Sequence, residues 1–388
     1  MKVLLVVLLA ALSCTSVFGS RVVVSITALH LGATSAEVGG IMSLYFLPPM
    51  LLSMSMGRLV DRAGVALPMA LVAVLLLTGH VLPAAWPSLW TLAISAACTG
   101  TAFVGVLIAL SSAAALSGRP EDRAVNFSWF TMGTGVGVGL GPLLSGIAID
   151  GLGDRMASLT LGIWPVALLL VLALAGRRLP TVTAVAAAAG PAAIAAPAGR
   201  MAWLGLLREA RLRAVLTANV MGPAGYEVFL FVLPVQGTRI GLSASTIGSL
   251  LAASAVAIFV VRLAMPIVAR RVREWNIIMA LFLALGSCFL LLSVVTQTWI
   301  LYVISIVMGI AQGLGQPLMM SMFFSASPEG RKGEAAGLRG ILQNTCSAAS
   351  PLLMGGLGSI LGLGPVLLAA SVVYAWGGWF AHRQSRRW

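Results

Sequence analysis

A chain of 388 residues that is 59% hydrophobic and 9% charged, with a mean hydropathy of +1.02, carries more apolar side chain than a water-soluble core can bury. This excludes a soluble domain and places the chain in a bilayer. A net charge of +13 would suggest nucleic acid in a soluble protein, but here the basic residues fall in short loops between apolar runs, so they report topology and no nucleic-acid partner is expected.

A spanning helix takes about 20 apolar residues, and the apolar runs predict twelve. The first, 3–29, opens as MKVLLVVLLAALSC and has the look of a signal peptide or a lipoprotein signal ending at Cys14. Its apolar character continues through Val22, Val23, Val24 and Ile26 to about Leu31, too far for such a segment, so it reads as one long helix. The second run, 38–56, gives way at Gly57, Arg58, Asp61, Arg62 and Gly64 to a predicted tight hairpin loop. Further spans are predicted over 66–85, 88–116, 124–150 and 157–176. Between 177 and 212 the pattern changes to Arg177 and Arg178, an Ala/Pro-rich tract, and the basic residues Arg208 and Arg211. Gly190, Pro191 and Pro197 argue against a span there, so the segment reads as a cytoplasmic linker whose basic cluster suits anionic lipid headgroups. The second six spans are predicted over 213–236, 245–269, 275–295, 299–325, 335–359 and 363–381.

Assigning loops alternately puts 20 basic residues on one side and only Arg155 and Arg239 on the other, which predicts that both termini are cytoplasmic. The two sets of spans also repeat at a constant offset of 209. Gly39 falls on Gly248, Trp90 on Trp299, Gly100 on Gly309, and GPLLSG at 141–146 on SPLLMG at 350–355. The expected organisation is an N-terminal six-helix half (1–176), the linker (177–212) and a C-terminal half (213–388), with the two halves as parallel repeats.

The segment GRLVDRAG, with Gly57, Asp61, Arg62 and Gly64, resembles the loop motif between the second and third helices of the major facilitator superfamily of secondary transporters. The basic residue that follows in that motif is replaced here by Val65 and Ala66, and the equivalent second-half stretch PIVARRVR has Arg270 where Asp61 stands. The resemblance implies that Asp61 locks onto the start of the eleventh helix, around Glu334 to Gly337, where exposed N–H groups and the helix dipole favour an anion. In the predicted fifth helix Gly137, Gly141, Pro142 and Gly146 resemble the family's antiporter motif, with Ser145 replacing one glycine; the family's fourth-helix arginine motif has no counterpart. Glycines at four-residue spacing let helix backbones approach closely, and the proline loosens the helix.

The resemblance implies an all-α, twelve-helix inner-membrane transporter, monomeric, that moves a small organic solute by alternating access with protons as coupling ion. The fifth-helix motif leans to efflux by antiport. The alternative is proton-coupled uptake of a nutrient, metabolite or siderophore-like compound, and a non-transporting sensor would need an appended soluble domain. An enzyme is not expected: the chain has no P-loop and no HExxH. Cys14, Cys98, Cys288 and Cys346 lie in apolar runs without metal-ligand or disulfide spacing, so no metal or other cofactor is expected. His30, His80 and His382 read as interface residues at or near helix ends.

Three charges fall more than five residues from either end of a predicted span: Arg21, Glu227 and Arg262. Each costs about 2.5 to 3.5 kcal/mol at the bilayer centre if it faces lipid, so each should face a partner or a cavity. The repeat offset sets Arg21 and Glu227 three residues apart, ~4.5 Å in depth, which allows an ion pair. Glu227 would be the proton-responsive group, freed when an anionic substrate captures Arg21. Gln312 and Gln316 share a face of the tenth helix, Arg339, Gln343 and Asn344 stand in the eleventh, and Tyr45 in the second. As a set they predict a polar substrate pocket.

Overall fold

The computed structural model describes residues 2–117, 122–180, 205–268, 273–329 and 331–386. The linker tract around Gly190 to Pro197, and Arg270 opposite Asp61, lie outside these. The regular elements among the described residues are helices: α1 (Lys2–His30), α2 (Ser35–Ser43), α3 (Leu47–Ala63), α4 (Ala66–Ala85), α5 (Leu89–Ala115), α6 (Arg123–Ala175), α7 (Ala210–Arg239), α8 (Ala244–Val268), α9 (Glu274–Leu292), α10 (Thr298–Ala326), α11 (Lys332–Leu361) and α12 (Leu363–Ser385), with one short 3-10 turn at Gly176–Arg178.

Among the described residues ten apolar segments are long enough to cross a membrane. One, Val125–Ala175, is 51 residues, about 77 Å at 1.5 Å per residue and far too long for one crossing. It contains Gly153 at φ 80, a conformation that breaks the ladder and that glycine adopts without strain. The predicted fifth and sixth spans are therefore the two limbs of α6, and the loop expected over 151–156 shrinks to a kink. The predicted second span divides the other way. Pro48 and Pro49 supply no N–H, so the chain turns over Leu44 to Phe46 and resumes as α3. The eleventh expected span, α11, falls outside the ten because Lys332, Glu334, Arg339, Gln343 and Asn344 dilute its apolar character.

The described residues group into two compact units. The first takes those of Met1–Ala33, Gly40–Ile194 and Gly237–Ala252, and the second those of Thr34–Gly39, Ala195–Gln236 and Ala253–Trp388. In the first, α1 lies along α6 and α4 packs on α5 and α6. Its core gathers Leu9, Cys14, Met69, Leu76, Val106 and Leu110. In the second, α9 packs on α12 and α10, with Phe282, Phe289 and Tyr374 in ring contact.

The repeat offset of 209 holds in three dimensions. Inside the first unit, a Cβ on Gly100 would strike the carbonyl of Tyr45; inside the second, one on Gly309 would strike the carbonyl of Ser254, the equivalent residue. Gly248 abuts Pro142 just as Gly39 abuts Pro351, and Gly146 abuts Ala244 just as Gly355 abuts Ser35. The left-handed turns repeat as well: Gly32 and Gly241 at φ 82 and 78, Gly153 and Gly362 at φ 80 and 83. Close backbone approach through small residues is what packs helices where lipid offers no hydrophobic drive.

Candidate functional site

The hairpin motif is more helical than its sequence suggests. Gly57, Arg58, Asp61 and Arg62 occupy the last turns of α3, and Gly64, at φ 71, with Val65 makes the turn into α4. Arg58, Asp61 and Arg62 are exposed, and Val65 N–H donates to the Pro180 carbonyl at 3.3 Å. The expected loop over 57–64 is thus corrected to a two-residue turn, Gly64 and Val65.

The fifth-helix motif divides its residues between two neighbours. Gly137 and Gly141 seat α6 against α1, where a Cβ would lie 2.6 Å from Thr15 N and 2.6 Å from Thr15 O respectively. Pro142 and Gly146 face the start of α8 instead. Four residues beyond Gly146, Asp150 accepts N–H bonds from Ala244 (3.0 Å) and Ser245 (2.8 Å), so a carboxylate of α6 caps the N-terminus of α8. The same kink holds Asp154, 2.8 Å from His30, and Arg155, whose Nε donates to the Ala84 carbonyl at the end of α4. Asp150 escaped the sequence reading, although an acid just before a Gly-rich turn was its visible signal.

Of the predicted polar residues in the first unit, Arg21 lies over three rings, those of Phe18 (5.4 Å), Tyr45 (5.4 Å) and Phe46 (5.1 Å), an enclosure that favours a guanidinium. Tyr45 is buried and bonds Ser20 through its hydroxyl at 2.8 Å; it stands in the turn between α2 and α3, not in a helix. His80 lies buried within α4, 2.6 Å from Ser16, so it belongs to the interior of this unit.

In the second unit the structure brings together Arg262, Gln316 and Gln312. Arg262 of α8 donates from Nη2 to Oε1 of Gln316 at 2.7 Å. Gln312 and Gln316, one turn apart on α10, line a small groove with Met319, with Gly222, Pro223 and Tyr226 of α7, and with Leu281, Phe282 and Leu285 of α9. Gly309 and Gly313 make this possible, since any side chain there would push α10 off the backbone of α8 at Ser254 and Ile258. Tyr226 bonds Ser254 at 3.1 Å, pinning α7 to α8. Glu227, the next residue along α7, is half-buried.

Gln343 and Asn344 are not part of the groove. Among the described residues neither side chain makes a hydrogen bond, and Asn344 is exposed. Arg339 instead donates from Nε to Asn219 Oδ1 at 2.9 Å and lies over the Phe323 ring at 5.7 Å. Asn219 passes its own amide hydrogens to the carbonyls of Val215 (3.0 Å) and Met319 (2.9 Å), joining α7, α10 and α11. Sequence reasoning missed Asn219, a single buried amide in the apolar stretch VLTANVM. Among the described residues no His, Cys, Asp and Glu cluster could hold a metal.

Comparison with known proteins follows this geometry closely. The Major Facilitator Superfamily profile matches residues 6–351 and 218–386. Among solved structures, a peptide transporter POT in complex with sulfate superposes with TM-score 0.82 at 14% identity, covering 100% of this chain and 94% of that one. A mutant of the nucleoside transporter NupG gives 0.79 at 13% identity over 98% and 100%. A bacterial homolog of the human lysosomal transporter Spinster, inward-facing and unoccupied, gives 0.75 at 15% over 98% and 96%. No curated protein matches the sequence.

Proposed function

The chain belongs to the Major Facilitator Superfamily, which makes it a multi-pass membrane transporter rather than an enzyme, and from that premise we propose that it moves a small organic solute across the inner membrane in exchange for protons. In this reading it works as a monomer with both termini in the cytoplasm, and alternating access exposes a polar site inside the bundle to each side in turn. The count of 20 basic residues on one side to 2 on the other supports the orientation. Glu227 is the proton-responsive group, with Arg21 as its partner. The observation that supports this is a carboxyl within the apolar segment Ala210–Arg239, where an ionised side chain needs a partner or an aqueous cavity. Asp61 acts as a lock on the start of α11, its charge favoured by the helix dipole there.

Efflux is supported by Gly137, Gly141, Pro142 and Gly146, and a second reading, proton-coupled uptake, by Ser145, which breaks that motif. Everted and right-side-out vesicles given a panel of radiolabelled peptides, nucleosides and organic acids from outside, with the pH gradient imposed in each direction, separate the two. Accumulation in everted vesicles that are acidic inside is expected. Accumulation only in right-side-out vesicles with an acidic exterior would establish uptake.

A further inference from the structure

We propose that the outer face of α12, near its C-terminal end, holds one anionic phospholipid, with the headgroup phosphate taken by Arg383 and Arg386 and an acyl chain lying along Trp376 and Val372. In the proposed orientation this lipid belongs to the cytoplasmic leaflet, and its binding does not depend on that orientation.

Val372, Trp376, Trp379, Arg383 and Arg386 recur at steps of four and three residues, so they share one face of the helix, and all five are exposed. The face belongs to Leu363–Ser385, a segment apolar and long enough to cross a membrane. Along it a valine gives way to two tryptophans and then to two arginines, the order in which a lipid presents acyl chain, interface and headgroup. From Trp379 to Arg383 the helix rises about 6 Å, and one headgroup layer is about 5 to 8 Å deep. A single crossing therefore sets the rings at the boundary and the guanidinium groups among the phosphates.

Arg383 is already oriented. A helical side chain leans toward the helix N-terminus, and here the guanidinium lies over the Trp379 ring, 3.9 Å from its centroid. Stacking uses the face of the guanidinium and leaves its in-plane N–H donors open, in the fork that fits two phosphate oxygens. The neighbouring rings are braced, since Trp376 stacks on Phe380 at 5.7 Å and Phe380 meets Trp275 of α9 edge-on at 6.4 Å. Among the described residues neither the Arg383 nor the Arg386 side chain makes an ion pair or a hydrogen bond; α12 has no acidic residue, and Glu274 at the start of α9 pairs with neither. The C-terminal end of a helix carries about half a negative charge, which two full positive charges outweigh. A zwitterionic headgroup would bring its own cation beside the arginines, so the site favours a lipid of net negative charge.

The test is native mass spectrometry of the full chain released from detergent micelles and titrated with phosphatidylglycerol or, separately, with phosphatidylcholine of the same acyl chains. Tighter binding of the first phosphatidylglycerol is expected. Arg383→Gln and Arg386→Gln should each weaken phosphatidylglycerol about fivefold, the usual effect of one basic residue at an anionic surface, and leave phosphatidylcholine nearly unchanged. Trp379→Leu, which removes the ring beneath Arg383, should weaken phosphatidylglycerol severalfold. Arg177→Gln, at an exposed arginine in the 3-10 turn after α6, should bind as wild type; an equal loss there would show only general charge attraction and overturn the site. Excess inorganic phosphate should not displace the lipid, because it offers no acyl chain, and displacement would overturn the lipid as occupant. Phosphatidylglycerol bound equally by wild type and by the double variant Arg383→Gln/Arg386→Gln, or both lipids bound equally by wild type, would also overturn the proposal. Should the double variant melt below wild type, the two single variants decide by the same comparison.

Discussion

Replacing Gly100 and Gly309 by alanine tests whether the repeat is a physical packing device. A Cβ at either position would fall well inside van der Waals distance of a backbone carbonyl, of Tyr45 and of Ser254 respectively, which no side-chain rotation can relieve. Alanine in a helix is otherwise favoured over glycine by about 1 kcal/mol, whereas overpacking a rigid contact costs about 1 to 3 kcal/mol. The net expectation is a loss of up to about 2 kcal/mol at each site. Gly40 and Gly337 supply the controls, because nothing lies within 4 Å of a Cβ there, so their alanine variants should gain up to about 1 kcal/mol. Colliding and open substitutions should therefore separate by about 1 to 3 kcal/mol, several degrees in the apparent Tm of the purified protein measured by thiol-reactive or intrinsic fluorescence. If Gly100→Ala and Gly309→Ala melt with Gly40→Ala and Gly337→Ala, the close approach of α5 to the α2–α3 turn and of α10 to α8 does not set stability, and the packing argument fails.

Asp150→Ala removes the acceptor for Ala244 and Ser245 N–H and should cost about 0.5 to 2 kcal/mol, the usual effect of losing a helix cap; a Tm unchanged from wild type would mean that water serves the cap as well. Asn219→Leu strips Arg339 of its acceptor and should cost about 1 to 3 kcal/mol, while Arg339→Met in the same background should recover part of that loss. Additive losses in that double variant would show the two residues to be uncoupled.

The all-helical membrane architecture and the repeat were legible because both are written in composition and in glycines whose spacing is fixed by backbone contact. Gly39, Gly100, Gly248 and Gly309 marked the repeat by their common offset, while the backbone contacts behind it show only in the structure. Boundaries were less legible. The end of α3 was misplaced because charged residues signal a loop in water but also suit a helix that emerges from the bilayer, as Arg58, Asp61 and Arg62 do. The turn at Gly153 was overestimated because one glycine with positive φ does the work of a six-residue loop. In the candidate site, Gln312, Gln316 and Arg262 could be found by asking which polar groups fall inside spans, since burial of each needs a reason. Gln343 and Asn344 passed the same filter, yet α11 turns them away from the groove, and only helix rotation, which sequence does not fix, separates the two cases. Asn219 was overlooked because one amide among apolar residues has no spacing partner to mark it. Its partners, Arg339 and the Met319 carbonyl, lie 120 and 100 residues away.

The most direct test of the central claim is Glu227→Gln, scored in proteoliposomes for exchange and for accumulation of whichever compound of the vesicle panel the wild type concentrates. Glutamine keeps the size and hydrogen-bonding capacity of the side chain but cannot exchange a proton. The account predicts that counterflow exchange persists while accumulation driven by the pH gradient falls to the equilibrium level. Full accumulation by Glu227→Gln at wild-type protein abundance would show that the proton is carried elsewhere and contradict the account.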